Sequence, residues 1–419
     1  MQSTIVSPSV PSTSVAPSVS STRVLSIDIL RGLTIALMIL VNDPGDWSHT
    51  FSQLDHAAWN GFTLTDVVFP NFLFLVGAAI ILSLDSRIRK GESRRTLGLH
   101  IIRRSATIFA LDLFFGLYPH FHYTHLRIFG VLTRIAVCFL VAGLICLTTQ
   151  RARTLFTIAA SLLIGYWALM RFVPVPGYGI PTHDMPILDP DGNLAAWLDR
   201  HLVVILQKTV HAGRLYNHTR DPEGFLSTIP AIATTLLGAV TALWLRRVDT
   251  SRDRSPGSIT RSMCLNGLLV AGIFSLAAGL LWNIWFPINK NLWTSSYVLF
   301  SAGWALLALA ALYWLVDIHH FNETKAGKWL TLPWLVFGSN AITAFCVSEF
   351  IVINMIWIKI PHSIGPNGNP VTAWYWTYHN LFAFNGSTKV TSLVFALAFV
   401  AVCFIPNWLL YRKRIFLKI

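Results

Sequence analysis

Charged residues are scarce in this chain: Asp, Glu, Lys and Arg make up 12% of 419 residues, against about 25% in an ordinary soluble domain. With 54% hydrophobic residues, that scarcity excludes a soluble enzyme and points to a polytopic membrane protein. Cysteine pairs are missing as well. Cys138, Cys146, Cys264, Cys346 and Cys403 stand singly in apolar runs, with no CxxC pair and no His cluster at metal-ligand spacing. That pattern excludes a disulfide framework and gives no metal site. The amino terminus lacks a basic n-region and a continuous apolar h-region, so residues 1–22, rich in Ser, Pro, Thr and Val, read as a disordered cytoplasmic tail and not a signal peptide. Net charge is +13, but no basic stripe is interleaved with exposed aromatics, which excludes nucleic acid as a partner.

Against those absences stand long apolar runs. A spanning helix needs roughly 20 mostly apolar residues, and ten segments meet that length: 24–41, 63–84, 100–118, 127–148, 154–173, 226–245, 263–286, 293–316, 331–358 and 389–411. The ninth is long enough to tilt, break or extend past the bilayer. Basic clusters at 87–95, 150–153, 245–254 and the C-terminal YRKRIFLK fall in alternate connections, while 42–62 contains no Lys or Arg. The positive-inside rule then puts both termini in the cytoplasm and the connections 42–62, 174–225 and 359–388 outside. The two longer outer connections are expected to form a cap with short interfacial helices. The expected fold is an all-α integral membrane protein of about ten helices, with residues 23–419 as a single polytopic domain in contact with membrane lipids.

Polar residues within those spans each need a partner or a role. Asp28 and Arg31 are three apart and can pair on one helix face. Asp66, one turn into the second helix, is a candidate orienter for a nearby imidazole or for a substrate amine. Arg127 and Arg134 are seven apart, two turns of the expected fourth helix, so both can line one cavity. Arg103 and Arg104 open the third helix from the cytoplasm, as positive-inside anchors or as ligands for a phosphorylated cofactor. His56 lies in the densest set of polar, aromatic and glycine residues, 42–77. A loop histidine is more often a hydrogen-bonding residue at the interface than a catalyst, but imidazole titrates near neutrality and can take a proton from an amine or hydroxyl. Asn42 can donate to a developing oxyanion, and Trp59 can stack on a sugar, although aromatic belts account for many such residues.

The segments SIDILRGLTIALMILVN (26–42), HAAWNGFTLTDVVFPNFLFLVG (56–77), LRIFGVLTRIAV (126–137), DPEGFLSTIPAIATTLLG (221–238), PINKNLWTSSYVLFSAG (287–303), GSNAITAFCVSEF (338–350) and YRKRIFLKI (411–419), in this order, resemble the heparan-α-glucosaminide N-acetyltransferase family. The resemblance implies acetyl transfer from cytosolic acetyl-CoA to the amine of a terminal glucosamine across a membrane, without a metal, by a homodimer. It places the active-site histidine on His56 and the active-site asparagine on Asn42, with Arg127 and Arg134 around an acetyl-CoA tunnel. The segment DPGDWSHTFSQLD between Asn42 and His56 differs from the family in length and content. The expected setting is a bacterial inner membrane with His56 facing the periplasm and an amino-sugar or glycan acceptor there. Direct transfer and an acetyl-histidine intermediate both remain open. O-acylation of a surface polysaccharide is the alternative activity. A transporter is a weaker one, since paired inverted repeats with broken helices are not evident.

Overall fold

The computed structural model describes residues 24–248, 259–365, 368 and 370–417; the tail expected over 1–22 lies outside the described residues. Among the described residues thirteen α-helices follow one another: α1 (Leu25–Asn42), α2 (Leu64–Arg89), α3 (Arg94–Leu117), α4 (Val131–Thr148), α5 (Ala152–Phe172), α6 (Leu194–Val210), α7 (Thr228–Leu245), α8 (Arg261–Trp282), α9 (Ser295–Leu312), α10 (Lys325–Ser339), α11 (Ala341–Trp357), α12 (Ala373–Leu381) and α13 (Lys389–Arg412). Among the described residues eight helices are long and apolar enough to cross a membrane, counting α9 with its π-helical extension to Ile318, and up to nine if α10 and α11 form one broken span. The chain is thus an all-α, multi-pass membrane protein. The one sheet among the described residues is a short antiparallel pair, β1 (Lys359–Ile364) and β2 (Pro370–Thr372).

Two of the ten expected spans take a different form. The third, α3, has the length, but Arg94, Arg95, Arg103, Arg104 and Asp112 make it less apolar than the helices that qualify, and it packs against α4. The ninth breaks between Ser339 and Ala341 with a bend of 81°. The break satisfies its own polar groups: Arg31 Nε donates to Gly338 O at 2.7 Å, and the buried Asn340 side chain holds the C-terminal segment by donating to Ile415 O and accepting from Leu417 N at 3.1 and 2.8 Å. Asp28 and Arg31 pair as expected, at 2.7 Å.

α1 has no capping side chain of its own, since Val24 occupies its N-cap. Asp317, at the end of the π-helical turn after α9, accepts instead from Leu25 N and Ser26 N at 3.2 and 3.1 Å. A carboxylate at a helix N-terminus satisfies otherwise unpaired N–H groups and complements the helix dipole. Asp317→Ala is expected to cost about 1 kcal/mol, read as a lower melting temperature of the detergent-solubilised protein.

Two further helices, α6 and α12, stand outside the candidate spans. They lie in the 174–225 and 359–388 connections, at the same end of the bundle as the turn joining α1 to α2. Trp59 Nε1 donates to Leu188 O at 2.8 Å, and Gly45 N donates to Ser392 O at 3.4 Å, so the α1–α2 connection is tied to both sides of this end.

Candidate active site

The α1–α2 connection re-enters the bundle at Thr63. Thr63 and Asp66 form a capping box at the start of α2, the arrangement that a Thr with an acid three residues on favours. Asp66 is 1% exposed. Its Oδ2 accepts from Thr63 N at 3.0 Å, Thr63 Oγ1 at 3.0 Å and Ala57 N at 3.2 Å. Its other oxygen, Oδ1, lies 2.7 Å from His56 Nδ1. One carboxylate therefore starts the helix, fixes the turn carrying His56 and orients the imidazole. With Nδ1–H donated to Asp66, the tautomer leaves a lone pair on Nε2. The His56 side chain remains 44% exposed, so a reactant can reach it.

The group at Nε2 is Lys290, whose Nζ lies 3.2 Å away. It comes from the turn between α8 and α9, which is stitched onto the His56 turn at three points. Gly61 N donates to Ile288 O at 2.9 Å, while Asn289 Nδ2 donates to Trp59 O at 2.9 Å and to Asn60 Oδ1 at 3.2 Å. Gly61 has φ of +125°, a conformation that a side chain would strain. Burial pushes the Lys290 ammonium below its ordinary value, opposed by Glu223 and Asp66. Burial alone would raise the Glu223 carboxyl, but Arg127, Lys290 and Arg134 hold it below its usual range.

The two arginines meet one segment, 221–227. Arg127 Nε and Nη2 grip Asp221 at 2.8 and 2.6 Å, and Nη2 also reaches Glu223 at 2.5 Å. Arg134, 1% exposed, donates to Gly224 O at 3.1 Å and Ser227 Oγ at 2.5 Å and stacks 5.0 Å from the Trp293 ring. Its Nε and Nη1 have no hydrogen-bond partner among the described residues. One expectation is corrected: Arg127 is not on the fourth helix. α4 begins at Val131 because Asp112 of α3 accepts from Thr133 N and Oγ1 at 3.1 and 2.6 Å, ending the connection there. Arg127→Met is expected to cost about 3–5 kcal/mol, because it strands the buried Asp221 and Glu223 carboxylates without a counter-charge. Thermal unfolding in detergent measures it, and Arg127→Lys should lose less.

Asn42 is the last residue of α1 and half-buried, and its side chain makes no hydrogen bond among the described residues. None links it to His56. Its neighbour Asp43 is buried, and burial followed by Glu349 pushes its carboxyl well above the ordinary range. One face of Trp59 is taken by the Arg220 guanidinium at 4.8 Å. Arg103 and Arg104 lie in the N-terminal half of α3, at the other end of that helix from the α3–α4 connection. Arg103 is exposed; Arg104 stacks 4.7 Å from the Phe139 ring in a small pocket shared with Arg87 and His100. A separate cavity of about 620 Å³ is lined by α5, α7, α8 and α9 residues such as Phe156, Trp244 and Phe274, with no ionisable group. It offers no acid–base chemistry.

The structure thus joins His56 to Asp66, with Trp59 in the adjoining turn, and sets Arg127 and Arg134 on a neighbouring acidic segment. Sequence reasoning missed Lys290, Glu223 and Asp221. Lys290 carried a signal, as a lysine in a connection assigned to the side poor in positive charge.

Residues 23–282, more than half the chain, match the family described as heparan-α-glucosaminide N-acetyltransferase, catalytic. A human protein named heparan-α-glucosaminide N-acetyltransferase is 27% identical over 438 residues, covering 95% of this chain and 60% of that protein. A mouse protein of the same name is 28% identical over 373 residues, covering 78% and 54%. The chain therefore spans about 60% of the length of the human relative. The family match covers more than half of the chain, from residue 23 to residue 282, and on that ground the chain belongs to the heparan-α-glucosaminide N-acetyltransferase family.

Proposed function

We propose that this protein transfers acetyl from acetyl-CoA to the amine of a glucosamine-type sugar, with the donor entering from the cytoplasm and the acceptor at the His56 end of the bundle. The observation that carries the reading is the contact between His56 Nδ1 and the buried Asp66, in a chain of this family. It leaves the imidazole with one basic nitrogen in reach of a reactant. Acetyl-CoA supplies the acetyl group as a thioester. His56 takes a proton from the sugar ammonium at Nε2, and Asp66 stabilises the imidazolium that forms. Asn42, whose amide makes no hydrogen bond among the described residues, donates to the oxyanion of the tetrahedral intermediate. The orphaned Arg134 nitrogens and the Arg87–His100–Arg104 pocket are the cationic sites for the donor's phosphates or its approach. Charge asymmetry of the connections supports cytoplasmic termini and an outward His56, and a bacterial inner membrane is the setting that fits outer connections without cysteine pairs. A homodimer is part of the same proposal.

The test is consumption of acetyl-CoA by the purified protein with and without glucosamine, reading free CoA and N-acetylated sugar together. Glucosamine-dependent release of both is expected. No response to the amine would sink the reading, and a response only to hydroxyl acceptors would replace it with O-acylation. In sealed vesicles containing oriented protein, product should form only when donor and acceptor lie on opposite sides.

A further inference from the structure

Asp66, His56 and Lys290 form a line: carboxylate to Nδ1 at 2.7 Å, then Nε2 to a primary amine at 3.2 Å. That order is the arrangement by which an imidazole activates a nucleophile. The third position holds the same functional group that the reaction acetylates. An acceptor amine activated by His56 must come within hydrogen-bond reach of Nε2, which is where the Lys290 amine lies. The turn that carries it is held against the His56 turn by three hydrogen bonds, one from Gly61 N and two from the Asn289 side chain. No other hydrogen bond holds Nζ among the described residues.

We propose that Lys290 is an internal acceptor, occupying the place of the sugar amine at rest and becoming acetylated when acetyl-CoA is bound without an acceptor. The proposal rests on the acetyl-transfer reading above. In the step, Lys290 Nζ forms a bond to the acetyl carbon and the carbon–sulfur bond of the thioester breaks. One proton leaves Nζ through His56 Nε2, and CoA departs as the thiol. The product is a neutral acetamide that no longer serves as a cation beside Glu223 and keeps the acceptor position filled, so the modified enzyme is inactive. Burial, with the Arg134 and Arg127 guanidiniums, favours the neutral, nucleophilic amine, whereas Glu223 and Asp66 favour the ammonium; marking therefore speeds up as pH rises. An amide of this kind is stable to hydroxylamine, unlike an acetyl-imidazole. Protein labelled from acetyl-CoA alone would carry the mark of Lys290 and not evidence of a ping-pong intermediate.

The experiment incubates full-length protein in detergent with acetyl-CoA, with and without glucosamine, and follows peptides by mass spectrometry alongside sugar acetylation. Expected results are an acetyl mark on Lys290 without acceptor, a matching loss of activity, and suppression of both by glucosamine. His56→Ala, checked for folding by its melting curve, should slow marking at least about tenfold, and Asp66→Asn should do the same if the alanine variant unfolds. Sugar acetylation with Lys290 unmarked overturns the inference and leaves the proposed function standing. Equal marking in wild type and both variants also overturns it, since marking would then be uncatalysed. Failure of both sugar and Lys290 to gain acetyl overturns the two together.

Discussion

Asp66→Asn is expected to lower kcat for acetyl transfer by about 10³- to 10⁴-fold while the helices stay folded. The reason lies in how the two carboxylate oxygens are used. Oδ2 accepts from two backbone N–H groups and can accept from the Thr63 hydroxyl, so in the variant the amide oxygen stays on that side. The amide NH₂ then faces His56 Nδ1 and donates where the carboxylate had accepted. His56 is forced into the tautomer with its proton on Nε2, and the nitrogen facing the reactant can no longer act as a base. Because the capping contacts survive, thermal stability should fall far less than activity. His56→Ala removes the base altogether, with an expected loss of about 10²- to 10⁴-fold. Steady-state release of CoA in the presence of glucosamine measures both. If either variant keeps activity within tenfold of wild type, the general-base assignment is wrong.

How far the site was legible in sequence depended on how local its parts are. His56 and Asp66 are ten residues apart, and the Thr63–Asp66 box lies within one helical turn, so pattern reasoning could place them together. Asn42 was legible as the end of an apolar run. The partner of His56 on the other side was not. Lys290 lies 234 residues away, and its position depends on Asn289 meeting Trp59 and Asn60, a tertiary contact that leaves no periodic trace. Arg127 was misplaced for a related reason: apolar length made 127–148 look continuous, whereas Asp112 fixes the true start of α4 from another helix. The spans themselves were legible because hydrocarbon demands length and apolarity. The break at Asn340 fell inside a segment long enough to break, but its 81° angle depends on groups from α1 and the C-terminal segment.

The helix crossing beneath the site gives the second large effect. Gly77 of α2 and Gly238 of α7 face one another so closely that a Cβ at Gly77 would stand 1.7 Å from Thr235 O, and one at Gly238 would stand 1.7 Å from Phe74 O. Both obstacles are backbone carbonyls, which cannot swing aside as a flexible side chain could. In a membrane the gain from helix association comes largely from close packing, so small residues at such a crossing set the interhelical distance. Gly77→Val must push α2 and α7 apart along their contact and displace Asp66 at the head of α2. Overpacking ordinarily costs about 1–3 kcal/mol, and the α7 backbone at Thr235 and Ala239, which stands in the way of a Gly77 side chain, puts this variant at or beyond the upper end of that range. The expected result is loss of monodisperse protein on size-exclusion chromatography, or a melting temperature far below wild type, with activity lost in parallel. Gly165→Ala in α5 is the matched control, because a Cβ there meets nothing within 4 Å; helix propensity alone makes it neutral or stabilising by up to about 1 kcal/mol. A well-folded, active Gly77→Val protein would mean that α2 and α7 do not cross at these glycines, and the placement of Asp66 relative to the 221–227 segment would fall with that crossing.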